Sequence, residues 1–273
     1  MDRSDRPSGH LYLIPSPLGS SVENLVLPEH VIRVIHSLDT FFAERIRQAN
    51  SFLRWLNHPV PDYQCRFYEL NKHTPAEDLL EMLGLLKQGA RAGIISEAGC
   101  PAIADPGSSL VRMAHDAAIT VTPLVGPSSI LLALMASGMN GQSFTFHGYL
   151  PKQVQERTEQ IRQLLKESIQ KNTTQVFMET PFRNNDLLKA LIEELPGSTL
   201  LCTASNLTLS NEEIITKRIS DWKMKSPDLK NAPTIFLFQA NDDTTQKGRL
   251  VSKKHISRSE NKKPARKHKR VRK

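Results

Sequence analysis

Short apolar runs alternate with helix-patterned stretches along most of this chain, and that alternation restricts its fold more than any other feature. Residues 11–14, 39–44, 92–95 and 120–124 read as buried strands, with 66–69 a weaker one. Between them lie helical segments: one opening near Pro28, then 45–56, 75–88 and 107–117. In the third of these, Leu79, Leu80, Met82, Leu83 and Leu86 supply the apolar periodicity. Strands that feed helices and return to the same sheet predict an α/β fold with a mostly parallel sheet. The second half repeats the theme, with strands at 143–146, 175–179, 199–204 and 234–239 and helices at 130–137, 153–171 and 184–195. A chain of 273 residues is expected to divide in two, because single cores stop growing near this length. The boundary is placed near Gly126, giving domains 11–125 and 126–245, a disordered stretch 1–10 and a tail 246–273.

Three loops interrupt the pattern where a parallel sheet presents its ligand-binding rim. After the first strand comes Pro15-Ser16-Pro17-Leu18-Gly19-Ser20. After the strand 92–95 comes Ser96-Glu97-Ala98-Gly99-Cys100-Pro101-Ala102-Ile103-Ala104-Asp105-Pro106-Gly107, with two glycines, two prolines and two carboxylates. Such a loop is stiff, and its bare backbone can lie against a ligand. The third, Val125-Gly126-Pro127-Ser128-Ser129, sets backbone donors and small hydroxyls at the start of an apolar helix. Loops of this kind on neighbouring strands would line one cleft.

Several function classes are excluded by what the chain lacks. It contains no Gly-x-Gly and no phosphate-loop motif, which removes the common nicotinamide enzymes and phosphate-loop ATPases. Its nine His form no helical ligand pair, and Cys65, Cys100 and Cys202 have no zinc or redox spacing, so no metal is expected. Cys100 has no His near it in sequence to make it a nucleophile, and Ser128 and Ser129 lack the hydrolase elbow. The longest apolar run, 130–136, is too short to span a bilayer, and the polar N-terminus lacks the apolar core of an export signal. A reduced, cytoplasmic protein without membrane attachment is expected.

Charge is distributed unevenly. Residues 246–273 hold thirteen Lys and Arg against one acid, Glu260, so of the chain's net +8 the preceding 245 residues carry −4. A basic tail this poor in apolar residues cannot bury a core and is suited to polyanions.

Six segments, taken in order, resemble one family: 11–20, Ala43-Glu44-Arg45-Ile46-Arg47, 96–107, 125–129, Gly148-Tyr149-Leu150-Pro151-Lys152 and Glu179-Thr180-Pro181-Phe182-Arg183, with a weaker seventh at Asn206-Leu207-Thr208. The chain is similar to ribosomal RNA small-subunit methyltransferase I, a branch of the tetrapyrrole methylase superfamily. The resemblance implies two α/β domains of the tetrapyrrole methylase type with S-adenosyl-L-methionine in the cleft between them, in a homodimer acting on ribosomal RNA or the small ribosomal subunit. Carried over by position, it implies Pro17, Leu18, Glu97, Ala98, Gly99, Ala102, Ser128, Ser129, Glu179, Leu207 and Pro233 as cofactor contacts. It implies Arg47, Lys152 and Arg183 as substrate contacts and Glu44 as the acceptor of a proton from a ribose 2′-hydroxyl.

The chain departs from the family pattern mainly in the substrate loops. Arg45 and Ile46 stand where Asp and Thr are usual, Phe182 where His is usual, and Ser16, Leu18 and Ser20 replace Thr, Ile and Asn. Three readings therefore stay open at this point: an RNA 2′-O-methyltransferase, a methylase of a tetrapyrrole or other small molecule, and a noncatalytic RNA- or ribosome-binding relative.

Overall fold

The computed structural model describes residues 9–19 and 26–240. Its first half is a five-stranded sheet in the order β3-β2-β4-β1-β5, with every pairing parallel. The strands are β1 (His10–Ile14), β2 (Thr40–Ala43), β3 (Arg66–Glu69), β4 (Arg91–Ile95) and β5 (Thr120–Pro123). Residues of β2 are buried throughout because helices cover both faces of the sheet. On one face α1 (Glu29–His36) and α2 (Ile46–Trp55) pack Val31, Ile35, Ala49 and Leu53 against Ile14, Phe41 and Ile95. On the other, α3 (Ala76–Lys87) and α4 (Ser108–Asp116) bring Met82, Leu86, Leu110 and Ala114 to Leu11, Phe42, Ala92 and Ile94. The neighbours β1 and β4 thus send their following helices to opposite faces. Their carboxyl ends mark the topological switch point, where open α/β sheets hold ligands.

The strand β1 begins inside the stretch expected to be disordered. His10 stacks on Tyr12 at 4.0 Å between ring centres, and its Nε2 lies 2.7 Å from Thr122 Oγ1, which ties the residue to β5. Residues 1–8 lie outside the described residues, as does the basic tail.

The second sheet runs β6-β7-β10-β8-β9 and is mixed rather than parallel. Only β6 (Phe144–Tyr149) and β7 (Thr174–Glu179) are parallel, joined across α6 (Val154–Lys171). The remaining pairs, among β7, β8 (Leu200–Ser205), β9 (Glu213–Arg218) and β10 (Thr234–Gln239), are antiparallel. The last strand inserts between β7 and β8 and is buried along its whole length. Helices α6 and α7 (Asn184–Glu194) cover one face, over Phe177, Phe236, Phe238 and the Trp222 ring of α8 (Ile219–Trp222). The opposite face is covered by α5 (Ser129–Ser137), whose Ala133 and Leu134 pack on Val176, Cys202 and Leu237. Strand β9 was not expected from the sequence. It is an edge strand with a mostly exposed surface, so it lacks the apolar run that marked the others. Among the described residues, no helix is long and apolar enough to cross a membrane.

Candidate active site

The three breaker loops are fastened to one another. Ser16 and Gly99 form a two-way antiparallel bridge, Ser16 N–H donating to Gly99 O at 2.8 Å and Gly99 N–H to Ser16 O at 3.0 Å. The Ser16 hydroxyl also donates to Ser96 O at 2.9 Å. Cys100 Sγ reaches Pro127 O at 3.5 Å, which attaches the third loop. Burial and the nearby Asp105 charge push the Cys100 thiol up, so it stays protonated, as suits a structural contact. Within the 96–107 loop Gly99, Ala102, Ala104 and Gly107 all have positive φ, and two of them are alanines. A left-handed alanine costs about 1 kcal/mol, which the surrounding fold must offset.

Against these loops the second half presents the carboxyl end of β7 and the turns before α5 and after β8. Together they enclose a cavity of about 310 Å³ whose walls include Leu18, Ala98, Asp105, Ser129, Tyr149, Glu179, Leu207 and Pro233. Its floor is apolar, from Ile130, Met178, Ala204 and Ile235, and its polar groups are few, the usual character of a small-molecule site. Glu179 is the strongest of them. Its side chain is fully buried, and Oε1 takes the Thr180 N–H at 2.6 Å, the Thr180 hydroxyl at 3.2 Å and the Arg183 guanidinium, whose Nε lies at 3.0 Å. The other oxygen, Oε2, has no hydrogen-bond partner among the described residues. A buried carboxylate oxygen left in this way calls for a donor from a ligand. Across the cavity, Ser128 precedes α5 without a side-chain cap, which leaves the first N–H groups of that helix available to an anionic group.

A second carboxylate cluster stands at the switch point. Glu44, just past β2, accepts the backbone N–H of Glu97 at 3.2 Å, and Glu97 is paired with Arg45. Asp105 faces both acids. Burial first, then the negative charges of Glu44 and Glu97, push its carboxyl up to about 6. Ser96 Oγ makes no hydrogen bond of ordinary geometry but lies close enough to oppose part of that rise. Tyr149, on the opposite wall, is raised by burial and then by the charges of Glu179 and Asp105, so it remains a neutral phenol.

Of the residues singled out from sequence, Leu18, Ala98, Ser129, Glu179, Leu207 and Pro233 share this cavity. Pro17 and Glu97 line an adjoining one, together with Leu18 and Ala98. Gly99, Ala102 and Ser128 line neither and belong to the supporting loops. Lys152 and Arg47 are exposed. Arg183 folds its guanidinium onto Glu179, the counterion that this buried acid requires. Asp105 was missed. It sits in an Asp-Pro-Gly sequence that reads as a turn, and only the fold brings Glu44 to it.

Comparison with known proteins agrees with this geometry. The sequence profile of the family Tetrapyrrole (Corrin/Porphyrin) Methylases matches residues 10–222. The chain is 32% identical over 213 residues to the ribosomal RNA small subunit methyltransferase I of Bacillus subtilis, covering 78% of this chain and 68% of that protein. To the protein of the same name from Vibrio cholerae it is 27% identical over 252 residues, covering 92% and 79%. Among solved structures, the methyltransferase CobJ superposes with a TM-score of 0.57 at 16% identity, covering 85% of this chain and 94% of that one, which supports the fold. A cavity with an apolar floor, an uncapped helix start and an unpartnered buried carboxylate oxygen fits the adenosyl and amino-acid ends of the methyl donor used by such enzymes. The chain belongs to the tetrapyrrole (corrin/porphyrin) methylases, within the branch of ribosomal RNA small subunit methyltransferase I, and is an S-adenosylmethionine-dependent enzyme.

Proposed function

We propose that the chain methylates a ribose 2′-hydroxyl of 16S ribosomal RNA, acting in the cytoplasm as a homodimer, with the cavity between its two halves holding the methyl donor. The observation that carries this reading is the pairing, in one cavity, of an unpartnered Glu179 oxygen with the raised carboxyl of Asp105. S-adenosylmethionine supplies, when bound, a methyl group activated by a positive sulfur. Glu179 Oε2 would accept a hydrogen bond from its ribose or amino group, and the α5 N-terminus would hold its carboxylate. Leu18, Ile130 and Leu207 exclude water from the apolar part.

Asp105 takes the role first given to Glu44. With its carboxyl near 6 it is ionised at neutral pH yet more basic than an ordinary aspartate, which suits a proton acceptor. When a ribose hydroxyl takes up the donor's methyl group, Asp105 would accept its proton. Glu44, positioned by the Glu97 N–H, sets its charge beside Asp105 and so raises the basicity of that group.

Apolar exposure supports the homodimer: Leu131 and Met135 on the outer side of α5 are 52% and 79% exposed, with Phe144 of the β6 edge also open. Incubating small ribosomal subunits with a radiolabelled donor and mapping the label tests the reading. Label is expected on one ribose, and Asp105→Asn is expected to lower turnover by about 10²- to 10⁴-fold with the donor still bound. Label absent from the RNA with wild-type enzyme overturns it.

A further inference from the structure

We propose that the second cavity, lined by α2, residues 16–19 and the start of the loop after β4, receives one unstacked base of the acceptor RNA. This rests on the reading of the chain as an RNA methyltransferase. The cavity measures about 340 Å³ and shares Leu18 and Ala98 with the cofactor cavity, so the two adjoin. A nucleotide whose ribose reaches Asp105 has to put its base somewhere, and a base held in a helix cannot bring its ribose into such a recess.

The lining suits a flat, neutral ring. Phe52 and Trp55, both half-buried, project from α2 with ring centres 6.2 Å apart and planes tilted by 31°, and both contribute to the wall. Aromatic faces of this kind stack with any base. For an edge contact there is the Gln48 amide, with the Ser96 hydroxyl, 5% exposed and turned toward Asp105, on the same wall. At the start of α2 the exposed Arg47 has no ion pair among the described residues and can meet a phosphate, while Glu44, Glu97 and Asp105 nearby disfavour an acidic macrocycle. The neutral base of a nucleotide avoids that repulsion.

The test compares Trp55→Phe, which keeps a stacking ring, with Trp55→Leu, which keeps apolar bulk alone. Methyl transfer to small subunits is measured together with donor affinity by calorimetry. Trp55→Leu is expected to raise KM for the RNA about tenfold and Trp55→Phe much less, with donor affinity unchanged in both. Should Trp55→Leu fold poorly, Gln48→Ala gives a second reading of KM. Quenching of wild-type tryptophan emission by added single-stranded RNA, lost in Trp55→Phe, gives a third. An unchanged KM in Trp55→Leu overturns the proposal, as does a fall in donor affinity that matches the rise in KM, which would assign the cavity to the donor. Failure of wild-type enzyme to label RNA at all is a different result and overturns the activity reading instead.

Discussion

At the scale of single residues, Asp105 joins chemistry to stability. Its carboxyl is raised in the folded chain, so folding is favoured when it is protonated and penalised when it is ionised. The penalty is complete above about pH 6 and fades as pH falls toward the ordinary carboxylate range. Glu44, Glu97, Cys100 and Tyr149 are the titratable groups that face it. Asp105→Asn removes the ionised form, and the variant is expected to be more stable than wild type by about 1 to 2 kcal/mol at pH 7.5, after allowing for solvent screening. Urea unfolding at pH 7.5 and pH 4.5 checks this, because the gain must shrink at the lower value. Glu179→Gln has the opposite character. It leaves Arg183 without its counterion and exchanges the open oxygen for an amide, so donor affinity and stability should both fall, the latter by about 1 to 3 kcal/mol. Calorimetry and thermal melts read the two effects separately. Leu18 and Glu179, singled out by motif position, stand on the cavity wall. Asp105 was not legible in the sequence, since its basicity depends on an acid brought in from the end of a different strand.

At the scale of elements, the site depends on how closely three loops approach. Gly126 shows this best: a Cβ built there would stand 2.3 Å from the Pro15 ring, which cannot swing aside. Gly126→Ala must therefore spread the first and third loops, and a loss of about 1 to 3 kcal/mol with weaker donor binding is expected from denaturant titration and calorimetry. Gly138, just beyond α5, meets nothing within 4 Å, so alanine there is strained only by its φ of +71° and should leave donor binding untouched. Gly99 was expected to be glycine because a ligand approaches its backbone. The structure supplies a reason within the fold, a φ of +73° and the bridge to Ser16, so Gly99→Val would strain the chain with or without a ligand. The parallel sheet was legible because strands covered on both faces are apolar throughout. The direction of β10 was not, since an apolar run carries no sign of whether its neighbours are parallel. For the same reason the mixed character of the second sheet emerged only with the fold.

At the scale of the whole molecule, charge is divided between a body and a tail that oppose each other. The first 245 residues carry −4, and Glu97 and Asp105 line the two cavities with the charge of Glu44 beside them. A polyanion approaching that surface meets little long-range attraction, whereas residues 246–273, outside the described part of the structure, hold thirteen of the chain's 36 basic residues. The division assigns capture to the tail and selection to the cavities, because attraction to phosphates is independent of sequence and stacking is short-ranged. Deleting 246–273 should weaken binding to ribosomal RNA and flatten its dependence on salt, each lost phosphate contact lowering the log–log slope by about 0.7 to 0.9. Donor affinity should be unchanged, since the described walls of both cavities lie between Ser16 and Ile235. Filter binding across a salt series, with calorimetry of the donor on the same truncated chain, measures both. A salt slope equal to that of the full chain would transfer the electrostatic role to exposed cations of the body such as Arg47 and Lys152. The same experiment repeated with those two neutralised would then show the slope fall.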